Sequence, residues 1–277
     1  MNRTMKLAYP IATPEVRAPI LGLKGPLTDV LPALRDAGYD GIEPFVADPS
    51  KFDSEAWARA VESSGLAVVA VGTGPLVFDD KLSFTAPEAS ARRAAVDRAK
   101  AVVRFAARLG AQVNIGKLRG EISAERPAES WAWMKAAIAE VCEEAANRGI
   151  AVTLEPQGRP TINNLNSTQG ALDFVAELGR TNFGLMLDSF HMEVEREDIG
   201  AEIRAVASRQ RLWHVHFADS ERKAPGEGSI DFRAAFAALR EVGYDRAITL
   251  EIKQVPDALA AARRAAAFLR PLLKSNS

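Results

Sequence analysis

Short apolar runs bounded by turn residues alternate along the whole chain with longer segments of helical period. A parallel sheet built from repeated strand and helix units writes this pattern into a sequence. Eight runs read as strands, at 6–11, 41–45, 67–72, 112–116, 151–155, 184–188, 212–217 and 247–252. The apolar spacing predicts helices over 27–36, 54–63, 87–109, 128–147, 167–178, 199–208, 232–241 and 258–269. Ser54, and Thr85 with Glu88 three positions on, are predicted helix caps. The run 73–83 reads as helix-free, a flap over the barrel mouth or a plain surface loop, and the closing PLLKSNS is expected to fray.

The helices share an exit. ALRDAGYD (33–40) and ALREVGYD (238–245) agree at six of eight positions, and each carries a Gly just past the helix, where a left-handed residue closes the last turn. The same signal recurs at Gly65, Gly110, Gly149 and Gly179. Eight such units in 277 residues, with no linker between them, predict a closed (β/α)8 TIM barrel, one domain over 1–277.

Composition narrows the partners. A net charge of −1 gives no basic excess with which to hold a phosphate backbone, which argues against nucleic acid. MNRTMKLAYPIAT has no uninterrupted apolar core of a signal peptide, and no apolar stretch reaches membrane-spanning length, so a cytoplasmic protein without a membrane partner is expected. Cys142, the one cysteine, lies in the helical run AIAEVCEEAA and reads as a buried, inert thiol.

The candidate chemistry gathers late in the chain. All three histidines, His191, His214 and His216, fall inside one 26-residue stretch. Successive strand side chains face opposite ways, so Met186 shares a face with Asp188, and His214 shares one with His216. If the large aliphatics face a helix layer, the acid and both imidazoles point into the barrel. Glu155, Asp188 and Glu251 end their strands in the same phase, and parallel strands bring those ends to one mouth.

Three carboxylates and the His216 imidazole form an oxygen-rich set predicted to hold one divalent metal ion, Mn2+ first, with Mg2+ or Co2+ as alternatives. A single such acid would more simply cap a helix or pair with an arginine. His214, one layer deeper, reads as support for that set. His191 follows Asp188 by three residues and reaches towards substrate from the loop. Glu43 ends its strand in matching phase, as a substrate contact, a support or a structural ion pair. Arg222, in SERKAPGEG, reads as a holder of substrate oxygen or phosphate, or as a solvated surface charge. Lys117 and Arg119 carry the same two readings.

In LEP (154–156), LDSFHM (187–192), HVHFADSERKAPGEGSIDF (214–232) and ALREVGYDRAITLE (238–251) the chain resembles the xylose-isomerase-like TIM barrels, and most closely their ketose 3-epimerase branch. The resemblance implies Glu155, Asp188, His216 and Glu251 as metal ligands, and His191 and Arg222 as substrate contacts. Thr161 departs from it, because those epimerases carry a further substrate-binding glutamate six residues after the first metal-binding one. Gln157 stands where classical xylose isomerases have a lysine.

The expected activity is a metal-dependent isomerisation or epimerisation of a small keto sugar or sugar phosphate. Glu155 and Glu251 are the catalytic pair that removes and returns a carbon-bound proton through an enediolate. A hydroxypyruvate-type isomerase or keto-inositol dehydratase would use nearly the same apparatus. An apurinic endonuclease would need more histidines for a three-zinc cluster, with Asp219 and Glu221 near where an Asp-x-His pair would stand. A non-catalytic sugar-binding barrel is the remaining rival. Self-association into a homo-oligomer is left open.

Overall fold

The computed structural model describes residues 5–274. The apolar runs form parallel strands β1 (Lys6–Ala12), β2 (Gly41–Phe45), β3 (Ala67–Val68), β4 (Ala70–Gly72), β5 (Gln112–Ile115), β6 (Val152–Leu154), β7 (Phe183–Asp188), β8 (Leu212–His216) and β9 (Ala247–Thr249). β1 pairs with both β2 and β9, which closes the sheet into a barrel. β3 and β4 both pair with β2 and are two pieces of one stave, so the barrel has eight. The run predicted as one strand over 67–72 breaks at Val69, where the ladder changes partner: β3 pairs with β2 alone, and β4 moves on to β5.

Around the staves lie α1 (Leu27–Asp36), α2 (Ser54–Ser64), α3 (Gly74–Phe78), α4 (Ala89–Arg108), α5 (Pro127–Ala146), α6 (Thr168–Leu178), α7 (Ser189–Val194), α8 (Ile199–Ser208), α9 (Phe232–Glu241) and α10 (Ala258–Lys274). The expected helix-free run contains α3, which Pro75 starts with its fixed φ where no N–H is needed. Asp53, not Ser54, caps α2 by accepting from the Ala56 N–H at 2.8 Å. Thr85 caps nothing: its hydroxyl lies against Ser83, and Glu88 precedes α4 without a side-chain bond. Gly65 and Gly179 close α2 and α6 with φ of +77° and +66°, as their positions predicted. α10 continues through Pro271 to Lys274, so that part of the closing segment is helical, and 275–277 lie outside the described residues.

Alternation sends buried Ile42, Val113, Leu154, Leu187, Val215 and Ile248 to the helix layer, each contributing roughly 1.5–3 kcal/mol by burial. The opposite phase lines the lumen, where polar side chains predominate beside Met186. Glu43, Asn114, Thr153, His214 and Thr249 are buried and joined by hydrogen bonds. One irregularity matters for the site: Leu185 pairs with Leu212 but Met186 with His214, so a bulge takes up Trp213. Beyond it Asp188 pairs directly with His216. Cys142 is buried in α5, and burial pushes its thiol up to about 12, too high for reactivity. No helix among the described residues is long and apolar enough to cross a membrane.

Candidate functional site

Glu155 follows β6, Asp188 and His216 end β7 and β8, and Glu251 lies just past β9. One ligand atom from each lies within 4.8 Å of all the others, so the barrel brings the predicted set together. Two atoms of these residues have no hydrogen-bond partner. Glu155 Oε1 and His216 Nδ1 are buried without a hydrogen bond, a state that costs about 1–3 kcal/mol for each group left so. Unpartnered acceptors converging with two further carboxylates fit a divalent cation. Gly116 makes room for the set, since a Cβ there would lie 2.7 Å from Glu155 Oε2.

The lumen fixes which nitrogen of His216 faces the cluster. Its Nε2 lies 2.9 Å from Glu43 Oε2, so Nε2–H donates downward and Nδ1 is left for a ligand. His214 Nε2 reaches the same oxygen at 2.9 Å, and Asn114 donates to Glu43 Oε1 at 2.6 Å. Of its three sequence readings, Glu43 fits the support: fully buried and bonded to three side chains, it lies behind His216 at the floor of the cavity. Glu43, His214 and His216 make a second grouping of metal-ligand type, but its atoms are already spent on one another, and it shares His216 with the first. The described residues thus hold no separate three-ion cluster.

Arg222 Nη1 lies 2.6 Å from Asp188 Oδ2 and 3.0 Å from Glu251 Oε2, and its guanidinium sits 4.5 Å from the centre of the Phe190 ring. Its backbone and that of Glu221 are left-handed, with φ of +61° and +59°, a costly conformation for side-chain-bearing residues. Asp219 holds the loop in place by accepting the N–H groups of Ser220, Gly226, Gly228 and Ile230. The Gly158 N–H lies 3.2 Å from His191 Nδ1 and Arg222 Nη2 lies 3.0 Å from His191 Nε2, so a donor faces each nitrogen of the ring. Burial pushes that imidazole down to about 4, which keeps it neutral near pH 7.

Two residues at this site hold roles that the sequence reading did not give them. Arg119, expected as a substrate or surface charge, is fully buried and donates to the Gly116, Glu155 and Asn164 carbonyls and to Asn164 Oδ1. It pins the turn after β5 to the segment after β6, and burial lowers it to about 10. Gln157 Nε2 donates to Glu155 Oε2 at 2.7 Å and orients that carboxylate. Its only sequence signal was a place two residues after Glu155. A cavity of about 290 Å3 opens above the cluster, walled by Ile20, Phe78, Lys117, Thr161, Phe190 and His191.

Burial, then the charges of Asp188 and Glu251, push the Glu155 carboxyl up to about 8. Burial works against Asp188 too, but Arg222, His191 and His216 hold it below the usual range. Burial opposes charge on His216, yet Glu43 and Glu251 raise it well above an ordinary histidine. The sign follows for the metal-free protein. Glu155 carries a proton below about pH 8, as does His216 near neutrality, and a cation must displace both. Loading with Mn2+ at pH 7 is expected to release more than one proton per ion, and affinity to climb towards pH 8. Calorimetry in buffers of differing protonation enthalpy measures this, and uptake without proton release contradicts it. Raised above its free value, the Glu155 carboxyl contributes less to metal-free stability as pH climbs towards about 8, whereas His191, lowered to about 4, contributes more as pH rises to the ordinary histidine value.

Carboxylates of unequal proton affinity beside buried imidazoles, at the carboxyl ends of parallel staves, define the class: a (β/α)8 barrel with an ionisable site at its mouth. The chain belongs to the xylose isomerase-like TIM barrel family, whose profile matches residues 31–272. A ketose 3-epimerase of Arthrobacter globiformis is 32% identical over 220 residues, 78% of this chain and 74% of that protein. An L-ribulose 3-epimerase of Mesorhizobium japonicum is 34% identical over 224 residues, 78% and 72% of the two. A solved L-ribulose 3-epimerase structure superposes with a TM-score of 0.82 at 28% identity, covering 98% of this chain and 95% of that one. The chain is thus an enzyme of the isomerase class.

Proposed function

We propose that the protein is a divalent-metal-dependent epimerase or isomerase of a small keto sugar, moving the proton on the carbon next to the carbonyl. The observation that carries this is the pairing of Glu155 and Glu251. They come from staves three apart, yet their oxygens meet within 4.8 Å beside His216 and Asp188. One carboxylate takes the proton from carbon, and the other returns one to the opposite face. Gln157 holds Glu155 by one oxygen, and Arg222 holds Glu251, so each base keeps its aim. His191 and Arg222, joined at 3.0 Å on the cavity wall, are the side chains placed to contact substrate oxygens. Glu155, Asp188, His216 and Glu251 are the ligands for the ion. When bound, it polarises the carbonyl and adjacent hydroxyl and offsets the negative charge that develops on them. The 3-epimerase relatives support epimerisation over the other outcomes of the same chemistry.

The test is proton exchange in deuterated water. Mn2+-loaded protein is mixed with a panel of pentuloses and hexuloses and followed by NMR. Deuterium at C3 with growth of the second epimer is expected. Label confined to C1 with an aldose product would replace epimerisation by 1,2-isomerisation. No exchange on any ketose would overturn the reading.

A further inference from the structure

The cations around the cavity differ in their partners. Arg222 is held between Asp188 and Glu251. Of the other cations on neighbouring loops, Lys253 is exposed and off the cavity wall, and the rest have partners. Arg17 and Arg98 pair with Asp80, and the Lys24 ammonium donates to the Val16, Arg17 and Ala18 carbonyls. Lys117 differs. It lines the cavity half-buried, and among the described residues its ammonium meets only the face of Phe78, 5.8 Å from the ring centre. That contact lies at the outer limit for a cation over a ring.

The lysine stands on a rigid base. Its turn, Lys117–Arg119, is held by the buried Arg119 guanidinium, so its backbone does not drift. The preceding residue, Gly116, is the one packed against Glu155 Oε2. Lys117 and Glu155 line the same cavity. Across the cavity, Thr161 brings a hydroxyl with no hydrogen bond among the described residues, and Ile20 and Leu21 bring no charge. Nothing on those walls repels an anion.

We propose that the substrate is a keto sugar bearing an anionic terminal group, a carboxylate or phosphate, and that Lys117 is the residue that binds it. The inference rests on the keto-sugar reading above and narrows it. Three probes decide it: D-ribulose, D-ribulose 5-phosphate and D-fructuronate, titrated by calorimetry into the Mn2+-loaded protein and into its K117M and K117R variants. At least one anionic sugar is expected to bind roughly tenfold or more tightly than D-ribulose. K117M should bring that ratio close to one, and K117R should keep most of it. Which anion gains identifies carboxylate or phosphate. Neutral sugar bound as tightly as both anions overturns the proposal, as does a preference that K117M leaves intact. Deuterium exchange with the same probes keeps the two readings apart: no exchange on any of them sinks the keto-sugar reading, while the binding ratios still decide the role of Lys117.

Discussion

Glu155→Gln and Glu251→Gln should each abolish epimerisation, with a loss of roughly 10^2–10^4 in rate. Glutamine keeps the size of the side chain and much of its hydrogen bonding but cannot take a proton. Both residues are also ligands, so metal content has to be measured on each variant. With metal retained, the informative result is asymmetric. A variant with one base left should wash deuterium from solvent into one epimer and leave the other unlabelled, because each carboxylate serves one face of the planar enediolate. Gln157 lies against Glu155 alone, so Gln157→Ala should weaken the same half-reaction as Glu155→Gln, by a smaller factor. A glutamine variant that interconverts both epimers at the wild-type rate removes the two-base assignment and moves the base to another group, such as His191.

Chelation should stop turnover by roughly a thousandfold or more, and Mn2+, Co2+ or Mg2+ should restore it. The physical reason lies in what the site is without an ion. Glu155 Oε1 and His216 Nδ1 have no partner, three carboxylates share a small volume, and Arg222 is the counter-charge hydrogen-bonded among them. An ion relieves both defects, so loading should also raise the melting temperature, a readout independent of catalysis. Full activity in protein shown by elemental analysis to be metal-free defeats the prediction.

The strand phase made much of this site legible in the sequence. Asp188, His216, Glu155 and Glu251 could be placed because each ends an apolar run in a phase that alternation fixes, and parallel staves bring those ends together. What lay beyond the sequence depends on partners far along the chain. Arg119, between two glycines in a polar loop, looks solvent-exposed until Asn164 and the Glu155 carbonyl close around it. Glu43 carries the same phase signal as the ligands, and only its contact with His216 shows that it sits below them. The cap at Asp53 was missed by one residue, because Ser54 has an equal local claim. The helix at Gly74–Phe78 is too short for periodicity to mark.

The carboxylate of Glu43 has a consequence for how such a barrel can be inherited or recombined. It sits on the second stave, and its partners Asn114, His214 and His216 are 71, 171 and 173 residues away. The tie crosses the hollow centre and binds the early part of the chain to the late part. A (β/α)8 fold invites dissection into half-barrel cassettes, yet these halves are not interchangeable. A hybrid that imported its first four staves from a barrel with an apolar residue at position 43 would leave two imidazoles facing an oily floor. The His216 ring would then be free to turn over and present the wrong nitrogen to the mouth. Every ligand would be present in the hybrid's sequence, and the site would still be missing from its structure.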